Sequence, residues 1–315
     1  MPVNVYKSDD DGAPQIPATA TLGNLISILD ACLVNGYGSK TGAGWTKAFT
    51  GTNVAAYKMP GGSGRYLRVS DTNAASTGRY AQMVGYDSMT DVDTGTDMWP
   101  ISGTNVYWPA SGYNGSAASW VVIIDNAGFY FYINSSTYVF AGFFGDMVPV
   151  DPTDVNFTGI IASVGSTAIV VFNQQGNNGS LYRSSYANAA IPGSYVMRRY
   201  DGATGSSYGF GRHWDAAKSS VDIGNSNSRP GVSGLGYPNT PDVKVYLSPV
   251  WVTEATPSPI IRGTMPGMWV PLHPNTAFSK WDTFSGTDEL AGKTFIILDG
   301  DGSARIAIET SDTWR

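Results

Sequence analysis

The sequence predicts a mainly β protein: a two-sheet, jelly-roll-like sandwich with one N-terminal helix and a small C-terminal β-unit. Three observations predict it. Charged residues make up only 14% of the 315 residues, against about 25% in an ordinary globular chain. Glycine (38) and tyrosine (18) are abundant, which suits short strands and tight turns rather than a bundle rich in Ala, Leu, Glu and Lys. Beyond the first forty residues the apolar positions recur with a period of two, the spacing of half-buried strands. A chain of this length buries a sizeable core, as one large β-domain or two smaller ones.

Residues 1–20 read as an extended arm. Pro2, Pro14 and Pro17 forbid a continuous helix there, and Asp9-Asp10-Asp11-Gly12 is a solvated turn. Such an arm is either a disordered tail or a segment that orders against another subunit. Residues 21–34 form the predicted helix, with Thr21 as N-cap and Leu22, Leu25, Ile26, Leu29 and Leu33 on one face. Asn35-Gly36-Tyr37-Gly38 ends it. Cys32 widens the apolar stripe, so it reads as a packed thiol rather than a nucleophile.

Strands are expected over Gly44–Thr50, Asn53–Met59, Arg65–Val69 and Tyr80–Tyr86, with Pro60-Gly61-Gly62-Ser63-Gly64 as a connecting turn. The strongest hairpin joins Ser119–Asp125 to Phe129–Ile133 through Asn126-Ala127-Gly128. Phe157–Val164 and Thr167–Phe172 form another expected pair, followed by a polar loop over 173–180. The apolar runs Val121–Ile124 and Ile169–Phe172 should be central strands. Tyr195–Tyr200 and Val243–Val252 follow, separated by a glycine-rich stretch, 201–241, expected to be irregular and a place for specific contacts. Thr256-Pro257-Ser258-Pro259 marks a boundary, so the expected units are 1–20, 21–255 and 256–315. The last holds short strands at Ile260–Arg262, Gly267–Leu272, Lys293–Leu298 and Ala304–Thr310, which form a small sheet or complete the main one.

Composition narrows the function classes. Net charge is −6 and no basic run exceeds Arg198-Arg199, so no nucleic-acid partner is expected. A single cysteine rules out an intrachain disulfide and a cysteine-based zinc site. No apolar run approaches ~18 residues and no signal pattern opens the chain, so synthesis in the cytoplasm without a membrane segment is expected.

Candidate chemistry is sparse. Asp299-Gly300-Asp301-Gly302-Ser303 suggests calcium, but an EF-hand needs Gly at the sixth position and Glu at the twelfth. Ala304 and Thr310 stand there, so a β-turn is the preferred reading. His213 and His273 lack an accompanying nucleophile motif. Glu254, Glu289 and Glu309 could belong to a glycosidase pair, although most aspartates sit beside turn formers. No catalytic residue, metal or cofactor is expected. Of the nine tryptophans, Trp99 and Trp108 precede prolines and are placed in loops, where they could stack on a host glycan.

Three stretches resemble a family of virion structural proteins of tailed phages of proteobacteria. The first runs Leu29-Asp30-Ala31-Cys32-Leu33-Val34-Asn35-Gly36-Tyr37-Gly38-Ser39-Lys40 and on through Gly44-Trp45-Thr46-Lys47 and Phe49–Asn53. The second is the Trp120–Ile133 hairpin with Phe143-Phe144-Gly145-Asp146 and Asp151-Pro152. The third comprises Arg262-Gly263, Pro266–His273, Gly292–Phe295 and Glu309–Trp314. The resemblance implies a non-enzymatic particle component of the tail or baseplate, or a capsid decoration protein. Its expected partners are other virion proteins and copies of itself, as a homo-oligomer in the virion. A host glycan is an alternative partner if the chain belongs to the adsorption apparatus.

Overall fold

A computed structural model describes residues 3–19, 21–72, 80–100, 106–112, 116–135, 139–161, 163–164, 195–202, 208–214, 245–254, 260–271, 278–299 and 305–314. Its elements begin with β1 (Asn4–Lys7), α1 (Asn24–Leu29) and a π-helical turn (Asp30–Asn35). Next come β2 (Thr46–Gly51), β3 (Val54–Lys58), β4 (Tyr66–Ser70), β5 (Tyr80–Tyr86), β6 (Ser88–Asp91), β7 (Thr94–Thr96) and β8 (Val106–Pro109). The central strands are β9 (Ala118–Ile124), β10 (Gly128–Ser135), β11 (Val139–Asp146), β12 (Val148–Pro149), β13 (Thr158–Ile161) and β14 (Ser163–Val164). The chain continues with β15 (Tyr195–Arg198), β16 (Tyr208–Trp214), β17 (Leu247–Glu254) and β18 (Ile260–Pro271). It ends with β19 (Thr283–Ser285), β20 (Thr294–Asp299) and β21 (Arg305–Glu309).

The predicted all-β sandwich is the observed class. A 13-stranded antiparallel sheet follows the order β1-β9-β10-β11-β13-β15-β16-β17-β18-β21-β20-β19, and a six-stranded sheet follows β14-β8-β5-β4-β3-β2. β6 and β7 form a separate hairpin. The large sheet curls on itself. β12 follows β11 after Met147 alone and pairs with β18, Val148 opposite Thr264. The path from β11 round to β18 therefore returns to the stretch it left.

Two cores result. One face of β9–β11 packs on the six-stranded sheet and α1, with Trp120, Val122, Phe129 and Phe131 meeting Tyr57, Leu67, Met83 and Leu29. Their other face packs inside the curl, where Val121, Ile123, Tyr130 and Tyr132 meet Met265, Met268, Ile306 and Ile308. Trp120 through Ile124 are all 0% exposed. Burial on both faces is the physical reason this run is continuously apolar instead of alternating.

Several expectations need correction. The helix starts at Asn24, not at Thr21; Gly23, at φ 81, is the N-cap and makes no side-chain capping bond. The cap comes instead from Asp71, whose Oδ2 accepts the Leu25 N–H at 2.9 Å. Leu22, expected on the apolar face, is 41% exposed. The arm is ordered within the chain, where β1 pairs with β9. A strand, β16, lies inside the stretch expected to be irregular. The two C-terminal strands expected at 260–272 are one strand, β18, with register shifts against β17. The C-terminal strands complete the main sheet, while Phe278, Phe295, Ile297 and Ala307 form a small cluster of their own. Thr167–Phe172, the 173–180 loop and most of 201–241 lie outside the described residues.

Candidate functional site

An extended polar network lies in the interior, where the 146–158 segment crosses the curled sheet. Arg262, on β18, is its centre. Alternation along the strand turns Ile261 outward and Arg262 inward, and the Arg262 side chain is 1% exposed. Its Nε donates to Asp154 Oδ2 at 2.8 Å and its Nη2 to Asp154 Oδ1 at 3.1 Å. This two-pronged bond matches the planar fork of the guanidinium. Nη1 lies 3.1 Å from Glu254 Oε2 and also donates to the Arg198 carbonyl. The Phe157 ring lies under the guanidinium, 4.8 Å from its carbon to the ring centre.

A second cluster joins this one through β15. Asp87 holds two guanidiniums, Arg65 Nε at 2.6 Å and Arg198 Nη2 at 3.1 Å. Arg65 Nη1 donates to the Val155 carbonyl at 3.1 Å and to the Thr158 hydroxyl. Thr158 donates in turn to Asp146. Asp146 accepts the Ser63 N–H at 2.6 Å and the Ser63 hydroxyl at 2.7 Å. Residues that flank strands of the six-stranded sheet (Arg65 before β4, Asp87 after β5) are thus bonded to residues of the large one (Thr158, Arg198). Buried charges cost free energy unless paired and hydrogen-bonded, and these are paired. The arrangement fixes the 146–158 segment across both sheets.

Glu254 is the weak member. Burial pushes its pKa up from the ordinary 4.5, against the lowering pull of Arg262 and of the Tyr200 N–H that bonds it at 3.3 Å. A carboxyl with a raised folded pKa costs stability above that pKa, and the cost vanishes as pH falls towards the unfolded value. Glu254→Gln should therefore be at least as stable as the parent at neutral pH. On acidification to about pH 5 the parent should gain relative to the variant. Thermal melts of both proteins across that range check this, and a gap that stays constant would refute it.

Several large apolar side chains on the segments that carry the network are exposed. Val150 (61% exposed), Val155 (74%), Tyr200 (48%) and Ile261 (47%) are large apolar side chains in contact with solvent. Hydrogen bonds tie the segments that carry them: Val150 N donates to the Arg262 carbonyl at 2.9 Å, and Tyr200 Oη to Asp151 Oδ2 at 3.1 Å. Asn156 Nδ2 also reaches the Tyr200 carbonyl at 3.5 Å.

No protein-family model matches this chain, and no curated protein matches it significantly.

Of the residues singled out from the sequence, Glu254 belongs to the arginine network and the others described fall elsewhere. Trp99 (1% exposed) and Trp108 (0%) belong to the inter-sheet core. Neither presents a ring face to a glycan. Trp99 bridges to Gly85 and Trp108 lies in β8, so neither is in an open loop. Cys32 is fully buried and burial raises its pKa well above the ordinary value, which fits the packed thiol expected. His213 lies in β16 opposite Val252; His273 is outside the described residues. Glu309 is bonded to Lys293 at 2.6 Å, Glu289 is exposed in a 3-10 turn, and Glu254 belongs to the network. The glutamates thus sit in different surroundings. Asp299 ends β20 opposite Arg305 of β21, so antiparallel strands flank the Asp-Gly motif, whose remaining residues, 300–303, are outside the described set. Among the described residues no group of three or more His, Cys, Asp or Glu is placed to hold a metal ion. No described helix is long and apolar enough to cross a membrane.

Arg65, Asp87, Asp154, Arg198 and Arg262 carried no signal in the sequence. Arg262 and Asp154 stand 108 positions apart, and no local spacing marks such a pair.

Proposed function

We propose that this chain is a structural, assembly component of a tailed-phage particle, in its tail or baseplate. It acts through protein–protein interfaces with other virion proteins and with copies of itself. The observation that carries the reading is the exposure of Val150, Val155, Tyr200 and Ile261 on segments held by the buried arginine network. Exposed apolar side chains on a rigid base suit a lasting contact, because little conformational freedom is lost when they are covered. The three stretches that resemble virion proteins support the same reading. They include the loop after the helix, the β9–β10 hairpin and part of β18. The glycan-binding alternative has lost its two carriers, Trp99 and Trp108, to the core.

Mass measurement of proteins from purified particles tests the reading. The polypeptide should be present in stoichiometric amount, and its absence ends the proposal. Immunogold labelling then separates tail from head.

A further inference from the structure

The N-terminal arm supplies the inference, which rests on the assembly reading and deepens it. Residues 3–16 lie in a groove between β9 and the loop that follows the helix. β1 forms the edge of the large sheet, with Asn4 opposite Ile124 and Lys7 opposite Val121. Beyond β1 the arm stays bonded. Ser8 N donates to the Trp120 carbonyl at 2.9 Å, Trp120 Nε1 donates to the Pro14 carbonyl at 2.8 Å, and Ile16 bridges to Ala118. On the other wall, Tyr6 Oη donates to the Thr41 carbonyl at 2.7 Å. Lys40 Nζ meets Asp10 Oδ2 and the Val5 carbonyl, each at 2.7 Å. Tyr6 and Ile16 are both 2% exposed and belong to the main core.

The chain leaves this groove through a stretch of different character. Pro17, Ala18, Thr19, Thr21 and Leu22 are all exposed, and the helix that follows takes its cap from Asp71 rather than from the arm. A deeply seated segment joined to the body by a short, exposed, proline-containing link is the anatomy of an exchangeable element. Fully extended, residues 17–22 span about 20 Å, enough to reach a neighbouring copy in contact.

We propose that copies of this chain exchange their arms: residues 3–16 of one copy occupy the groove between β9 and the 36–43 loop of another. The occupant is specified by the groove itself, since every strand pair, buried side chain and hydrogen bond seen within one chain is reproduced between two. The contacts are common to both forms, so the link and the protein concentration set the balance. In a particle, where copies are held side by side, exchange ties each to the next through a strand of its neighbour's sheet.

The register provides the test. Ser8 and Trp120 form a hydrogen-bonded pair, so pairing alternates and Val5 and Ile123 are a non-hydrogen-bonded pair, as are Lys7 and Val121. Such pairs bring Cα atoms to about 4.5 Å, within the reach of a disulfide. Chains carrying Val5→Cys alone are co-expressed with chains carrying Ile123→Cys alone, then oxidised mildly at high concentration. Cys32 is fully buried and is left in place. Exchange predicts a covalent heterodimer as a prominent species on a non-reducing gel. The Lys7→Cys and Val121→Cys chains repeat the test with a second pair. A chain bearing both Val5→Cys and Ile123→Cys shows whether the site can close at all. An intrachain disulfide in that chain with no heterodimer at either pair overturns the proposal, as does a monomer by native mass spectrometry at the same concentration. Particles that contain the chain but show no exchange would remove this inference and keep the assembly reading.

Discussion

Arg262→Ala is expected to destabilise the protein by about 3–5 kcal/mol, the cost of breaking a buried ion pair from one side. The effect does not come from the arginine alone. Its removal leaves Asp154, with a side chain 1% exposed, and Glu254, at 3%, buried together without their cation. Two uncompensated carboxylates in one interior must either take up protons or draw in water. Arg262→Lys should recover only part of the loss, because an ammonium cannot reproduce the two-pronged bond to Asp154. Chemical denaturation of parent, alanine and lysine forms measures this. A loss below about 1 kcal/mol for alanine would place the pair among interactions that contribute little, as exposed pairs do.

Trp108→Ala should cost a similar amount, about 3–5 kcal/mol, through a different term: the cavity left by a large ring. Trp108 is fully buried and stacks on Phe131 with ring centres 5.5 Å apart and planes 10° from parallel. Phe129 meets it edge-on at 5.6 Å, and its Nε1 donates to the Ile161 carbonyl at 2.8 Å. Truncation empties that space and orphans a buried carbonyl. The same substitution separates two roles for the residue. A tryptophan displayed for a sugar would change binding and leave stability within about 0.5 kcal/mol. A core tryptophan lowers the denaturation midpoint instead, and the measured midpoint decides between them.

How far the sequence could be read depends on the range over which each feature is determined. The β9–β10 hairpin was legible because its cause is local: apolar runs either side of Asn126-Ala127-Gly128. The helix was legible as a stripe of leucines and isoleucines, but its start was not. Asp71, the residue that caps it, lies 46 positions away from Leu25. β16 escaped notice because Gly209 and Gly211 interrupt its pattern, and glycine weakens any strand signature. Trp99 and Trp108 were misplaced for a related reason. A following proline suggests a loop, yet Pro109 ends a strand and pairs with Tyr80, so Trp108 keeps its inward position. The arginine network was out of reach entirely. Its members come from the turn before β4, the β5–β6 junction, the 146–158 segment, β15, β17 and β18, and only the tertiary fold assembles them.

That curl has a mechanical consequence. A ladder of strands with two free margins can be peeled, one pair of hydrogen bonds at a time, from whichever margin is pulled. Among the described residues, β12 joins the stretch after β11 to β18, so peeling from β11 towards β18 must also break the β12–β18 pairing.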